Sequence, residues 1–101
     1  IDVNPYPDLE AAALNNLALV QTTSGALQDA EDPFKAALQI SQRIGDRHHE
    51  AAILNNLADL LHRSGQEEES MENLKQAVRL FSEIGGDTDR HQPDIWMLTS
   101  W

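Results

Sequence analysis

Four asparagines stand in two matching blocks, Leu14-Asn15-Asn16-Leu17-Ala18 and Leu54-Asn55-Asn56-Leu57-Ala58, and they are the residues best equipped for recognition. An Asn amide offers two N–H donors and a carbonyl acceptor. A stacked pair such as Asn16 and Asn56 can therefore hold the backbone of an extended peptide without reading its side chains. The plainer alternative is that these amides solvate an exposed face or bond across to a neighbouring unit.

The other candidates for chemistry do not assemble into a reactive site. His48 and His49 are adjacent, so on a helix they point in different directions, and no HExxH spacing or carboxylate cage accompanies His62 or His91. The absence of cysteine removes thiolate ligands, a Cys nucleophile and any disulfide framework. No GxSxG elbow, phosphate-binding loop or paired-acid arrangement stands out. The expectation is a protein without catalytic residues, metal or cofactor.

Charge narrows the partners. Seventeen acidic residues against seven basic ones give a net charge of −10, which repels phosphate backbones and anionic lipid surfaces. Direct nucleic-acid or membrane binding is therefore not expected, and another protein or peptide is the expected partner. No apolar run approaches the roughly 20 residues of a membrane span. The segment Ile1-Asp2-Val3-Asn4-Pro5 has none of the features of a secretion signal, so a cytoplasmic location is the default expectation.

The elements that must position these residues repeat. A shift of 40 residues superimposes Glu10-Ala11-Ala12 on Glu50-Ala51-Ala52, the two Asn blocks on each other, Ser24-Gly25 on Ser64-Gly65, Lys35 on Lys75, Ala37 on Ala77, and Ile44-Gly45 on Ile84-Gly85. Apolar residues recur at three- and four-residue spacing on both sides of Gly25 and Gly65, so each unit reads as two helices separated by a glycine. The hydrophobic fraction of 41%, carried by Ala and Leu with few aromatics, favours helix as well. The spacing predicts helices at about 8 to 23, 28 to 44, 47 to 63 and 67 to 84, with a fifth starting near Asp94. Asp8 is the expected N-cap of the first, and left-handed glycines are expected at Gly25 and Gly65 and, in the same way, at Gly45 and Gly85. Pro33 falls inside the second helix and predicts a kink, or a helix that begins at Asp32, at a cost of about 3 kcal/mol.

The pattern resembles the tetratricopeptide repeat, over nearly the whole chain. Leu14, Leu17, Ala18, Gly25, Ala30, Phe34 and Ala37 fill signature positions in the first unit. Leu54, Leu57, Ala58, Leu61, Gly65, Leu74 and Ala77 fill them in the second, with Ser70 where a small Ala is usual. The period exceeds the family's common 34 residues. It looks like the variant in kinesin light chains, Pins-type spindle adaptors and the sensor regions of large bacterial transcriptional regulators. IGDRHHEAAILNNLADLL and LFSEIGGD look most like the bacterial group. The resemblance implies an all-α fold of tandem helical hairpins: an extension over residues 1–7, units over 8–45 and 46–86, and a partial third unit or capping helix over 87–101.

It also implies a site. In the family, the free side of each first helix lines a concave groove, here built from Asn15, Asn16, Leu19 and Thr23 with Ala12 and Thr22, then Asn55, Asn56, Asp59, His62 and Arg63 with Ala52. Leu14, Leu17, Ala18 and Gln21 would pack on the opposite side. Small Ala18 and Ala58 would admit Phe34 and Leu74. The Lys and Arg clamp that chaperone-binding members close on a terminal carboxylate has no match beyond Arg63 and His62, which stand beside Asp59. The acidic runs Asp29, Glu31, Asp32 and Glu67, Glu68, Glu69, Glu72 open the second helices, where they complement the helix dipole.

Repeat proteins bury their apolar faces by stacking, normally in three or more units. Two units and the start of a third therefore predict a segment of a longer array, or self-association through Ile95, Trp96, Leu98 and Trp101. The alternative to peptide binding is accordingly a structural or homo-oligomerising segment of a larger multidomain regulator.

Overall fold

A computed structural model of the chain describes residues 5–85. Its four helices are α1 (Pro7–Thr23), α2 (Leu27–Ile44), α3 (Arg47–Arg63) and α4 (Glu67–Ile84), with no strand among the described residues. Bounds in the second unit repeat those of the first at a shift of 40 residues. Gly86, His91, the helix expected near Asp94, and Ile95, Trp96, Leu98 and Trp101 lie outside the described residues.

Each helix ends where the chain can reverse. Gly25, Gly45 and Gly65 have φ of 89°, 73° and 81°, in the left-handed region that costs residues with a Cβ about 1 kcal/mol or more. At the first, Ala26 N–H reaches back to the Gln21 carbonyl at 2.8 Å and Gly25 N–H to the Thr22 carbonyl at 3.2 Å. This paired bonding satisfies carbonyls that the last helical turn leaves open. Gly85 differs: its φ is −82°, so the second unit does not close as the first one does.

The helix starts also depart from expectation in two places. α1 is preceded by Tyr6 and begins on Pro7, whose fixed φ suits a first helical position; Asp8 falls in the first turn with Glu10 instead of capping it. α2 neither begins at Asp32 nor breaks at Pro33, but runs from Leu27 through the proline. Ala30, Phe34 and Ala37 on either side of Pro33 are fully buried. That packing outweighs the one missing backbone bond, as tertiary contacts commonly do for helices of this length.

Within each unit the helices pack as a hairpin, α1 on α2 and α3 on α4, and α2 joins the hairpins by lying against α3. Ala18, Ala30, Phe34, Ala37 and Ile40 of the first hairpin share one core with Ile53, Leu57, Leu60 and Leu61 of the second. Ala18 and Phe34 sit in that core, and Ala58 with Leu74 forms a smaller one, with Val78 against it. Leu17 is the departure: it is 48% exposed where Leu57 is 2% exposed. α3 has α2 on one side and α4 on the other, whereas α1 packs chiefly on α2.

Candidate functional site

The first helices of the two units, α1 and α3, touch little and are bridged by a pair of asparagine side chains. Asn56 Nδ2 donates to Asn15 Oδ1 at 3.1 Å, in a half-buried setting. This is the bond between neighbouring units that the sequence left open as an alternative, although it joins Asn56 to Asn15 and not to Asn16. It uses one N–H of Asn56 and one lone pair of Asn15, which leaves the Asn15 NH2 group and the Asn56 carbonyl with capacity for a ligand. Asn16, next to Asn15 in the chain, is exposed.

The remaining residues of the expected groove are unequal. Asn55 is 8% exposed, and its Oδ1 is buried with no hydrogen-bond partner among the described residues, so it is not open to a ligand. Leu19 is half-buried against the core. Thr22 is buried with its hydroxyl donated to the Ala18 carbonyl at 2.7 Å, and the exposed Thr23 hydroxyl turns back to the carbonyls of Leu19 and Val20 at 3.1 and 3.0 Å. These threonines finish their own helix end.

Charge enters at the far end of α3. Arg63 Nε donates to Asp59 Oδ1 at 3.0 Å, an i,i+4 pair in which the Arg63 side chain is 48% exposed and its other N–H groups are not used by this bond. His62 Nδ1 lies 2.9 Å from Glu67 Oε1, which ties the end of α3 to the start of α4. The opposite end of α3 is fixed by Asp46, which accepts from His49 N–H at 3.2 Å and meets His49 Nδ1 at 2.5 Å. The side-chain bond from His49, with the backbone bond beside it, holds the Asp46 carboxyl below its ordinary range.

Among the described residues no group of three or more His, Cys, Asp or Glu side chains is arranged to hold a metal, and no helix is long and apolar enough to cross a membrane. A hollow at the start of α4 is lined by Glu67, Glu68, Glu69, Met71, Glu72 and Lys75. Its carboxylates sit where the helix dipole favours negative charge.

Comparison with known families agrees with this architecture, because a model of the tetratricopeptide repeat matches residues 9–83. The chain belongs to the tetratricopeptide repeat family. The match spans all four helices and identifies the family as a whole, not the kinesin light chain, the Pins-type adaptors or the bacterial regulators. No curated protein matches the chain significantly, and neither does any solved structure. Tetratricopeptide repeats are helical scaffolds that mediate contacts between proteins, so this tetratricopeptide chain is a protein–protein interaction module in that general sense.

Sequence reasoning allowed a bond between the units but not its register, Asn56 to Asn15. Its only trace is that each unit repeats two consecutive asparagines, so a 41-residue offset is available as well as the 40-residue one. It also did not foresee the exposure of Leu17, because sequence periodicity records a stripe's chemistry and not the number of neighbours the stripe meets.

Proposed function

We propose that this tetratricopeptide module binds an extended segment of a partner protein along the seam between α1 and α3. The observation that carries the proposal is the Asn15–Asn56 bridge, with Asn16 exposed on α1 and an exposed Arg63 bonded to Asp59 on α3. Donors and acceptors of both kinds lie together there, which suits the alternating N–H and C=O groups of an extended backbone. From Asn56 to Arg63 the helix advances about 10 Å, at 1.5 Å per residue. That length accepts about three residues of extended chain. Asn55 is not open to a ligand and Leu19 packs on the core, while Asn15, Asn16, Asn56 and Arg63 make the contacts and Asp59 and His62 orient the end. Thr23 borders the seam.

The net charge of −10 gives the partner a sign, since its field draws in basic segments and slows acidic ones. The test is selection of peptides from a random display library on the purified chain, followed by calorimetric titration of a selected peptide. The expected result is a basic, extended peptide whose affinity falls about tenfold in the Asn16→Ala/Asn56→Ala double variant, a change of about 1.4 kcal/mol. The helical melting curve should remain cooperative. Unchanged affinity in that variant would remove the seam from the account.

A further inference from the structure

We propose that Asp59 gives the seam its side-chain specificity: its carboxylate takes a Lys or Arg at one fixed position of the bound segment. This role rests on a partner segment lying along the seam between α1 and α3. The amides of Asn15 and Asn56 can hold a backbone there, but they do not distinguish one sequence from another. The net charge of −10 draws basic segments toward the whole surface, whereas Asp59 selects where in the segment the basic residue falls.

The two units serve as controls for each other. Because α1 and α3 share one register at a shift of 40 residues, Leu19 and Thr23 stand where Asp59 and Arg63 stand. Leu19 is half-buried against the core, and the Thr23 hydroxyl turns back to its own helix. The same kind of hairpin therefore forms with an apolar residue at this position and with no ion pair. Asp59 nevertheless puts a carboxylate there, with only 15% of its side chain exposed. Desolvating a charge opposes folding, and an i,i+4 pair on a helix returns little. A charge kept where the fold accepts Leu points to binding, since local rules of stability are broken chiefly at functional sites.

Asp59 is also placed for the task. It lies three residues after Asn56 and four before Arg63, so the three side chains share one face of α3. Arg63 Nε occupies Asp59 Oδ1 at 3.0 Å, and Oδ2 takes no bond among the described residues. A carboxylate has about four lone-pair sites, so it accepts a second cation without releasing the first. From Asn56 to Asp59 the helix rises about 4.5 Å. A segment held by its backbone at Asn56 thus brings the long side chain of a neighbouring Lys or Arg within reach of Oδ2. The other carboxylate of α3, Glu50, lies in the first turn of the helix, and Glu67 across the next turn is engaged by His62 at 2.9 Å.

The test is a charge-swap cycle followed by calorimetric titration. Peptides selected from a random display library on the purified chain should align with Lys or Arg at one position and varied residues elsewhere. Replacing that residue by Ala in a selected peptide, and Asp59→Asn in the chain, should each lower affinity about tenfold, and together no more than either alone. Asp59→Lys should reject the selected peptide and accept its counterpart with Glu at that position, a rescue that a purely structural pair with Arg63 cannot give. Asp59→Leu, which copies the first unit, should keep a cooperative melt and select peptides without the fixed basic residue. Selected peptides that share no basic position, or losses that simply add, overturn the proposal. If Asp59 shows no coupling while Asn16→Ala/Asn56→Ala still lowers affinity, the seam stands and the role of Asp59 falls. If neither change matters, or no peptide is selected, the seam itself falls and Asp59 with it.

Discussion

Asn56 donates its side-chain N–H to the Asn15 carbonyl oxygen at 3.1 Å, and this is the one side-chain hydrogen bond described between α1 and α3. The helices barely touch otherwise, since α2 makes most of the connection between the hairpins. The bond therefore fixes the spacing of the seam more than it stabilises the fold. A half-buried neutral bond contributes about 0.5 to 1.5 kcal/mol. Asn15→Ala and Asn56→Ala should each lower stability by no more than about 1 kcal/mol, with a double-mutant coupling of at least about 0.5. Asn16→Ala should leave stability unchanged. Urea unfolding of the four variants and the parent checks all three statements.

Pro33 gives the second prediction. Its ring removes the bond that residue 33 would make to the Asp29 carbonyl inside α2. The matching residue of the second unit is Asn73, whose side chain donates to the Glu69 carbonyl at 2.9 Å. Pro33→Ala should raise stability by about 1 to 3 kcal/mol. Thermal melting should show a rise of several degrees, with no change in helix bounds by NMR.

Much of the fold was legible because each unit carries its own punctuation. Gly25, Gly45 and Gly65 mark the reversals, and Ala18 with Phe34 and Ala58 with Leu74 mark the hairpin contacts. Asp8 misled, and so did one of the two readings of Pro33, a helix that begins at Asp32. A capping residue was available near the start of α1, yet the proline before it set the start, and a helix breaker was present in α2, yet the buried residues around it held the helix together. The site was less legible. Whether an Asn binds a neighbour, a ligand or water depends on the lateral offset of two helices, and that offset is set by packing, which periodicity does not encode.

Asp46 makes stability depend on pH. Its folded value lies below its ordinary 3.8, so between the two values the unfolded chain binds more protons than the folded one. The contribution is therefore fully present above the ordinary value and is lost as pH falls through the folded value. At neutral pH Asp46→Ala should cost about 1 kcal/mol through loss of the α3 cap. The gap between variant and parent should narrow as acid is added below about pH 4, which a series of melting curves will follow.

Two buried serines should respond in opposite ways. Ser70 is fully buried and donates to the Ala58 carbonyl at 2.7 Å across α3 and α4, so Ser70→Ala should cost about 1 kcal/mol. Ser41 is equally buried, but its hydroxyl has no partner among the described residues. Ser41→Ala removes an uncompensated polar group and should be neutral or stabilising by up to about 1 kcal/mol. Chemical denaturation of the two variants side by side measures the difference.

The central claim is that a partner segment lies on the seam between α1 and α3. It is tested most directly by a 15N-labelled NMR titration with a library-selected peptide, following backbone amides and the Asn side-chain NH2 signals together. The largest shifts should fall on Asn15, Asn16, Asn56 and Arg63 and the turns around them, with α2 and α4 quiet. Saturable binding whose shifts fall instead on α2 or α4, with the Asn NH2 signals unmoved, would contradict it.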